Sequence, residues 1–211
     1  MKILIVAATA KEVNLVYEHF NIKQNDFAQH QKFDLLITGV GMTATAFSLG
    51  KNLKKDYQLV LNVGIAGSFD PNIPLGSLVN IVSDTFADLG AEDNDAFISI
   101  DELGFGKSNY VSSFDYDALP KVNSITVNKV HGNQQSILKL QSRLKVQTES
   151  MEGAAVFYVC EQLNIPCLQI RAISNYVEPR AKENWQIGLA IKNLNNWIID
   201  FITNNGLKMT I

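Results

Sequence analysis

Arginine is scarce in this chain, with only Arg143, Arg171 and Arg180 among 211 residues. A shortage of the side chain that grips phosphate through two parallel hydrogen bonds counts mildly against a site built around free phosphate. Basic runs are missing too, and Lys+Arg 18 against Asp+Glu 21 leave a net charge of -3. With no electropositive stripe, neither nucleic acid nor an anionic membrane surface is an expected partner. The apolar run after Lys2, Ile3 to Val6, has the length of a strand, too short for a signal peptide or a membrane span. A soluble, cytoplasmic protein is expected. Only two cysteines occur, Cys160 and Cys167, both in apolar surroundings, which suits reduced core thiols. No disulfide, metal or cofactor is expected, and no repeat or low-complexity tract is present.

What is present is enough apolar material for a core. At 46% hydrophobic and 18% charged residues, 211 residues make one domain, here taken as 1–211. The β-branched run Ile3 to Val6 predicts a strand. A helical pattern from Thr9 follows, with Val13, Val16 and Phe20 on one face. Further strands are predicted at Asp34 to Thr38, Leu59 to Val63, Ser77 to Val82, Ile125 to Val130 and Leu168 to Ile173. Helices are predicted at Thr43 to Leu53, Glu152 to Leu163 and Trp185 to Phe201. Strands alternating with helices define an α/β fold with a mixed, largely parallel central sheet flanked by helices. In the last helix Ile187, Ile191, Leu194, Ile198 and Phe201 recur at spacings of three and four, a stripe assigned to the core. Residues 84 to 116 lack periodicity and read as loops around short elements.

Three glycine-bearing segments follow strands. Gly39-Val40-Gly41 opens a helix and formally fits a dinucleotide fingerprint, but the acid that should end the next strand is absent, since Asp56 precedes it. Gly64-Ile65-Ala66-Gly67 has no Gly-Lys-Ser/Thr and so is no nucleotide P-loop. Both read as turns giving close backbone approach at the carboxyl ends of strands, where open α/β sheets place ligands. The third, Val130-His131-Gly132-Asn133, offers a pocket wall, against the commoner reading of a lone surface histidine at His131.

Acids and an amide carry the chemistry. Glu12 and Glu152 each stand at a helix start, where a carboxylate is stabilised by the helix dipole. For Glu12 the spacing Thr9-x-x-Glu12 equally fits a capping box. Arg171 offers a fixed cation that fits an ion pair with either acid, and Ser174 and Asn175 close the strand with a hydroxyl and a planar amide.

These residues fall in a recognisable order: Lys2-Ile-Leu-Ile-Val-Ala-Ala-Thr-Ala-Lys-Glu12, Gly39-Val-Gly41, Asn62-Val-Gly64-Ile-Ala-Gly67, Leu75-Gly76-Ser77, Ser150-Met-Glu-Gly-Ala-Ala155 and Arg171-Ala-Ile-Ser-Asn175. The set resembles the nucleoside phosphorylase and nucleosidase family over nearly the whole chain. Two further stretches, Phe86-Ala-Asp-Leu-Gly-Ala-Glu92-Asp and Asn175-Tyr-Val-Glu-Pro-Arg180, resemble one hydrolytic branch of it. The resemblance implies ribosyl transfer from a purine nucleoside through a transition state like an oxocarbenium ion, with no cofactor. It implies that Glu152 binds the ribose hydroxyls over Met151, that Glu12 deprotonates the attacking water, and that Arg171 helps hold that water and Glu152. Gly41, Ile65, Ala66, Gly67, Val130 and Ser174 would complete the substrate walls.

Family members that cleave adenine nucleosides carry Asp where this chain has Asn175. An amide protonates nothing, but it can accept from a protonated N7 and donate to a 6-oxo oxygen, the complement of hypoxanthine. Phosphorylases of the family use arginines near the first glycine segment, which are missing, so water is the expected acceptor. Two departures bear on the pocket: Ile65 stands where nucleosidases usually carry Ser, and Thr126-Val-Asn-Lys-Val-His-Gly132 replaces their base-stacking segment. Together they suggest room for an unusual 5′ substituent. The resemblance further implies a homodimer or larger homo-oligomer, with a neighbour closing the pocket.

Overall fold

A computed structural model describes residues 2–204; the remaining positions of the 1–211 domain assignment lie outside the described residues. Eleven strands occur among them, β1 Ile3–Ala7, β2 Phe27–Gln29, β3 Phe33–Ile37, β4 Leu59–Ser68, β5 Leu78–Phe86, β6 Gly90–Asp93, β7 Ala96–Ser99, β8 Asn109–Val111, β9 Lys121–Thr126, β10 Thr148–Ser150 and β11 Cys167–Tyr176. The helices are α1 Asn14–His19, α2 Met42–Asn52, α3 Gln134–Arg143, α4 Gly153–Leu163 and α5 Ile187–Thr203, with 3-10 turns at Ala10–Val13 and Lys182–Asn184.

The main sheet runs β10-β9-β5-β11-β4-β1-β3-β2, with β8 on the flank of β5. Pairings β1 to β3, β1 to β4, β4 to β11, β5 to β9 and β9 to β10 are parallel, and those of β5 with β11, β2 with β3 and β10 with β4 are antiparallel. The sheet is therefore mixed. Because β10 also pairs with β4, the half containing β4, β11, β5, β9 and β10 closes on itself. The hairpin β6-β7 stands apart.

Alternation along buried strands sorts side chains into two cores. Ile3, Ile5, Leu59, Leu61, Leu168 and Ile170 pack under α1 and α5, where Val16, Leu194, Ile198 and Phe201 meet them. On the other face Leu4, Val6, Val60 and Ile173 pack with Leu49 of α2 and Val156, Phe157 and Cys160 of α4. Strands covered on both faces are mostly hydrophobic, with a few buried polar residues such as Asn62 and Gln169, which makes their runs legible. Cys160 and Cys167 are buried free thiols.

Several boundaries differ from the sequence expectation. The segment Gly64-Ile65-Ala66-Gly67 is not a turn, since β4 continues through it to Ser68. An added Cβ at Gly64 would lie 2.9 Å from Glu12 Oε1, and one at Gly67 2.9 Å from Val177 Cγ2, so these glycines serve close approach inside a strand. The strand predicted to Val130 ends at Thr126, and 127–130 is loop. Helix α5 starts at Ile187 instead of Trp185. Its stripe divides: Leu194, Ile198 and Phe201 are core, whereas Ile187 and Ile191 line a cavity.

Candidate active site

A cavity of about 400 Å³ opens at the carboxyl ends of β1, β4 and β11, within the size range of ligand pockets. Each wall has a local cause. After β1 the chain turns at Thr9 into the 3-10 turn, bringing Glu12 back over the sheet. Glu12 Oε2 accepts from the Thr9 amide at 2.9 Å and the Thr9 hydroxyl at 3.0 Å, while Oε1 accepts from the Ile65 amide at 3.2 Å. The cap is real, yet it leaves Glu12 facing the cavity. Helix α5 steadies it from behind: buried Asn195 donates to the Glu12 carbonyl at 2.8 Å and accepts from the Val16 amide at 3.1 Å.

Glu152 stands at the N-terminal end of α4, where its side chain makes no capping bond to the helix. Its Oε1 accepts from the Gly41 amide at 2.8 Å. Burial pushes its carboxyl above the usual range, opposed by the Gly41 N–H and by Arg171. Gly41, with φ +92, thus positions Glu152 from beside the cavity, and Val40 forms the wall there. Beneath α4, Asp84 accepts from the Thr126 hydroxyl at 2.9 Å and the Gln169 amide at 2.8 Å, and Thr126 Oγ1 accepts from the Ala154 N–H at 2.8 Å. A side chain at Gly153 would overlap Asp84 and Gln169.

Arg171 is 1% exposed and lies behind the main cavity, lining a small recess with Glu12, Glu152 and Asn62. Its Nη1 reaches Asn62 Oδ1 at 3.4 Å, and its Nε has no hydrogen-bond partner among the described residues. No ion pair within 4.0 Å joins it to either acid among the described residues, so it supports the site as a buried cation behind both.

Ser174 and Asn175 are successive residues, which in a regular strand would face opposite ways. A bulge in β11 between Ile173 and Asn175 turns both to the cavity. Ser174 Oγ lies 2.8 Å from Asn175 Oδ1 and 3.2 Å from the Ala66 carbonyl, and Asn175 Nδ2 donates to the Tyr176 carbonyl at 3.0 Å. Ile65, Ala66, Gly67, Val130 and Met151 also line the cavity.

His131 corrects its sequence assignment. It is no isolated surface side chain: it lines the cavity, and its Nδ1 lies 2.7 Å from Glu149 Oε2 while its backbone N–H donates to Glu149 Oε1 at 3.0 Å. Glu149, together with Lys11, Arg180, Trp185, Ile187 and Ile191, was missed by sequence reasoning. The signal for Glu149 lay only in its place two residues before Met151, in a strand of three residues.

An acid held by backbone amides above a buried cation, a second acid at a helix start and a bulged amide define a site for cleaving a bond within a polar small molecule. A family model described as "Phosphorylase superfamily" matches residues 2–202, and the chain belongs to that superfamily. Nearer relatives are more particular. Over 173 residues, covering 75% of this chain and 74% of the relative, it is 33% identical to a futalosine hydrolase of Streptomyces coelicolor. Among solved structures, a 5′-methylthioadenosine/S-adenosylhomocysteine nucleosidase of Helicobacter pylori with butyl-thio-DADMe-Immucillin-A superposes with TM-score 0.82 at 19% identity, covering 97% of this chain and 98% of the other. The native futalosine hydrolase of the same organism gives 0.81 at 17%, with the same coverage. At such identities the two structures establish the fold.

Proposed function

We propose that the protein hydrolyses the N-glycosidic bond of futalosine, releasing hypoxanthine. The observation that carries this reading is the presence in one cavity of Glu12, bound by the Thr9 and Ile65 amides, and of Asn175 on the β11 bulge. Glu12 is the base for water. Glu152, opposite, binds the ribose hydroxyls and stabilises the cationic sugar, with Met151 against its face, while Arg171 holds the acids in register from behind. Asn175 donates to a 6-oxo oxygen and accepts from a ring N–H beside it. An adenine 6-amino group there would leave donors facing each other, at a cost of about 1–3 kcal/mol.

The apolar end of the cavity, with Trp185, Ile187 and Ile191, supports a bulky 5′ substituent. Water is the acceptor: Arg171 is buried behind the wall, and Arg180, within van der Waals reach of a Cβ at Gly132, is the one arginine on the cavity lining among the described residues. Futalosine, as the resemblance implies, places the reaction in a menaquinone route. A single cytoplasmic domain acting as a homodimer or larger homo-oligomer completes the reading, supported by two exposed large apolar residues, Val40 at 57% and Phe47 of α2 at 72%. No described helix is long and apolar enough to cross a membrane.

The test is to incubate purified protein with futalosine, inosine and methylthioadenosine, with and without phosphate, and to follow the released base. Phosphate-independent hypoxanthine release from futalosine is expected. Preferred adenine release, or strict phosphate dependence, overturns the proposal.

A further inference from the structure

With an amide at position 175, the departing purine lacks an obvious proton donor. A purine leaves readily only once its imidazole ring is protonated, and Asn175 yields no proton. Glu12 accepts from the Thr9 and Ile65 amides and Glu152 from the Gly41 amide, with the first already assigned to the water and the second to the ribose. The pair His131 and Glu149 lines the same cavity and has no role yet.

The strand register places this pair beside the amide. Gly67 is the partner of Glu149 across the β4–β10 ladder and of Asn175 across the β4–β11 ladder. A Cβ at Gly67 would lie 3.2 Å from Asn175 Nδ2 and 3.7 Å from Glu149 Cγ, so the missing side chain is the gap that both polar groups flank. Glu149 is 4% exposed and both its oxygens bind His131, one through the backbone amide and one through Nδ1. That contact sets the ring orientation and the tautomer, leaving Nε2 free for a ligand.

Resting on the reading that this site cleaves a 6-oxopurine nucleoside, we infer that His131, oriented by Glu149, is the general acid for the leaving base. The water oxygen bonds to C1′ as Glu12 takes a water proton. The C1′–N9 bond breaks, its electron pair passes into the purine ring, and the Nε2 proton of the imidazolium moves to N7. Neutral hypoxanthine is released while Asn175 reads the 6-oxo edge. Glu12 then loses its proton to solvent and His131 regains one. Glu149 is a positioning residue that holds the ring through Nδ1. Besides Glu149, the charged groups around His131 are Arg180 beside Gly132, Asp88, Glu92, Lys129, Lys139 and Arg143 of the adjoining cavity, and Lys11, Glu12 and Glu152 of its own cavity.

The experiment compares wild type, His131→Asn and Glu149→Gln on futalosine across pH, with thermal melts to confirm folding. His131→Asn should lower kcat by about 10²–10³-fold and abolish the alkaline limb of its pH profile. Glu149→Gln, whose amide oxygen can still accept from Nδ1–H, should retain more activity than His131→Asn and keep that limb. On 4-nitrophenyl riboside, whose leaving group needs no proton, His131→Asn should lose under about threefold, within the range of an uninvolved residue. A variant at position 131 that keeps kcat on futalosine, or that lowers it with the alkaline limb intact, overturns the assignment. If wild type fails to cleave futalosine, the substrate reading is what fails, and the same comparison on whichever purine nucleoside it does cleave decides the role of His131.

Discussion

Asp84→Asn should make the protein more stable at neutral pH and remove a pH dependence that wild type shows. Asp84 is completely buried under the start of α4, and burial raises its carboxyl from 3.8 to about 6, only partly offset by the Gln169 and Thr126 hydrogen bonds and by Arg171. The sign follows from proton binding. Between pH 4 and 6 the native state holds a proton on Asp84 that the unfolded chain has lost, so stability falls as pH rises through this window. At about 1.4 kcal/mol per pKa unit the loss reaches roughly 3 kcal/mol above pH 6, which for a protein of this size is about 6–12 °C in Tm. Asparagine has no such loss. Its oxygen keeps the Thr126 hydroxyl, and Gln169 can turn its amide to accept from the new Nδ2, because Gln169 Oε1 has no hydrogen-bond partner among the described residues. Urea unfolding of both proteins from pH 4 to 8 gives the difference curve. It should be near zero or slightly unfavourable to the variant at pH 4, then rise in its favour up to pH 6 and flatten. A difference independent of pH, or one that moves against the variant as pH rises, would refute the reasoning.

Three further outcomes concern the site. Glu12→Gln should bind substrate but lose about 10²–10⁴-fold in kcat, as removal of a general base does; near-normal turnover in single-turnover kinetics would reduce Glu12 to a cap. Gly64→Ala should disturb the same carboxylate from below, since the new Cβ would lie 2.9 Å from Glu12 Oε1 and 3.3 Å from Arg171 Nη1. At least about a tenfold fall in kcat/KM is expected from that displacement, and an unchanged value would show that the acid has room to move. Asn175→Asp should lower hypoxanthine release far more than it lowers Tm; parallel losses in rate assays and melts would assign the amide to folding.

Much of the fold was legible because strands buried on both faces carry apolar runs, unbroken in Ile3 to Val6 and broken only by Gln169 and Arg171 in Leu168 to Ile173. The missing parts share a physical cause. β10 is three residues long and is held by pairings to β9 and β4, so its own sequence carries no period to read. α3 buries only Ile137 and Leu140 among polar residues, too thin a stripe to stand out. Glycines at 64 and 67 read as a turn by habit, whereas here they are strand residues whose missing side chains admit Glu12 on one side and Asn175 on the other.

That last difference explains why the candidate site was legible in its residues but not in its geometry. Glu12, Glu152, Ser174 and Asn175 could be picked out because each stands at an element end, where function concentrates in wound α/β sheets. What brings them together is non-local: β4 runs past the point where a turn was expected, so β10 can pair with its far end and β11 must bulge to follow it. The same extension puts Gly67 between Glu149 and Asn175 and draws His131 in from a loop that looked peripheral. A strand that ended at Val63, as the sequence suggested, would leave Glu149 unpaired with β4 and the histidine outside. The length of one glycine-bearing strand therefore decides which polar groups can reach the base.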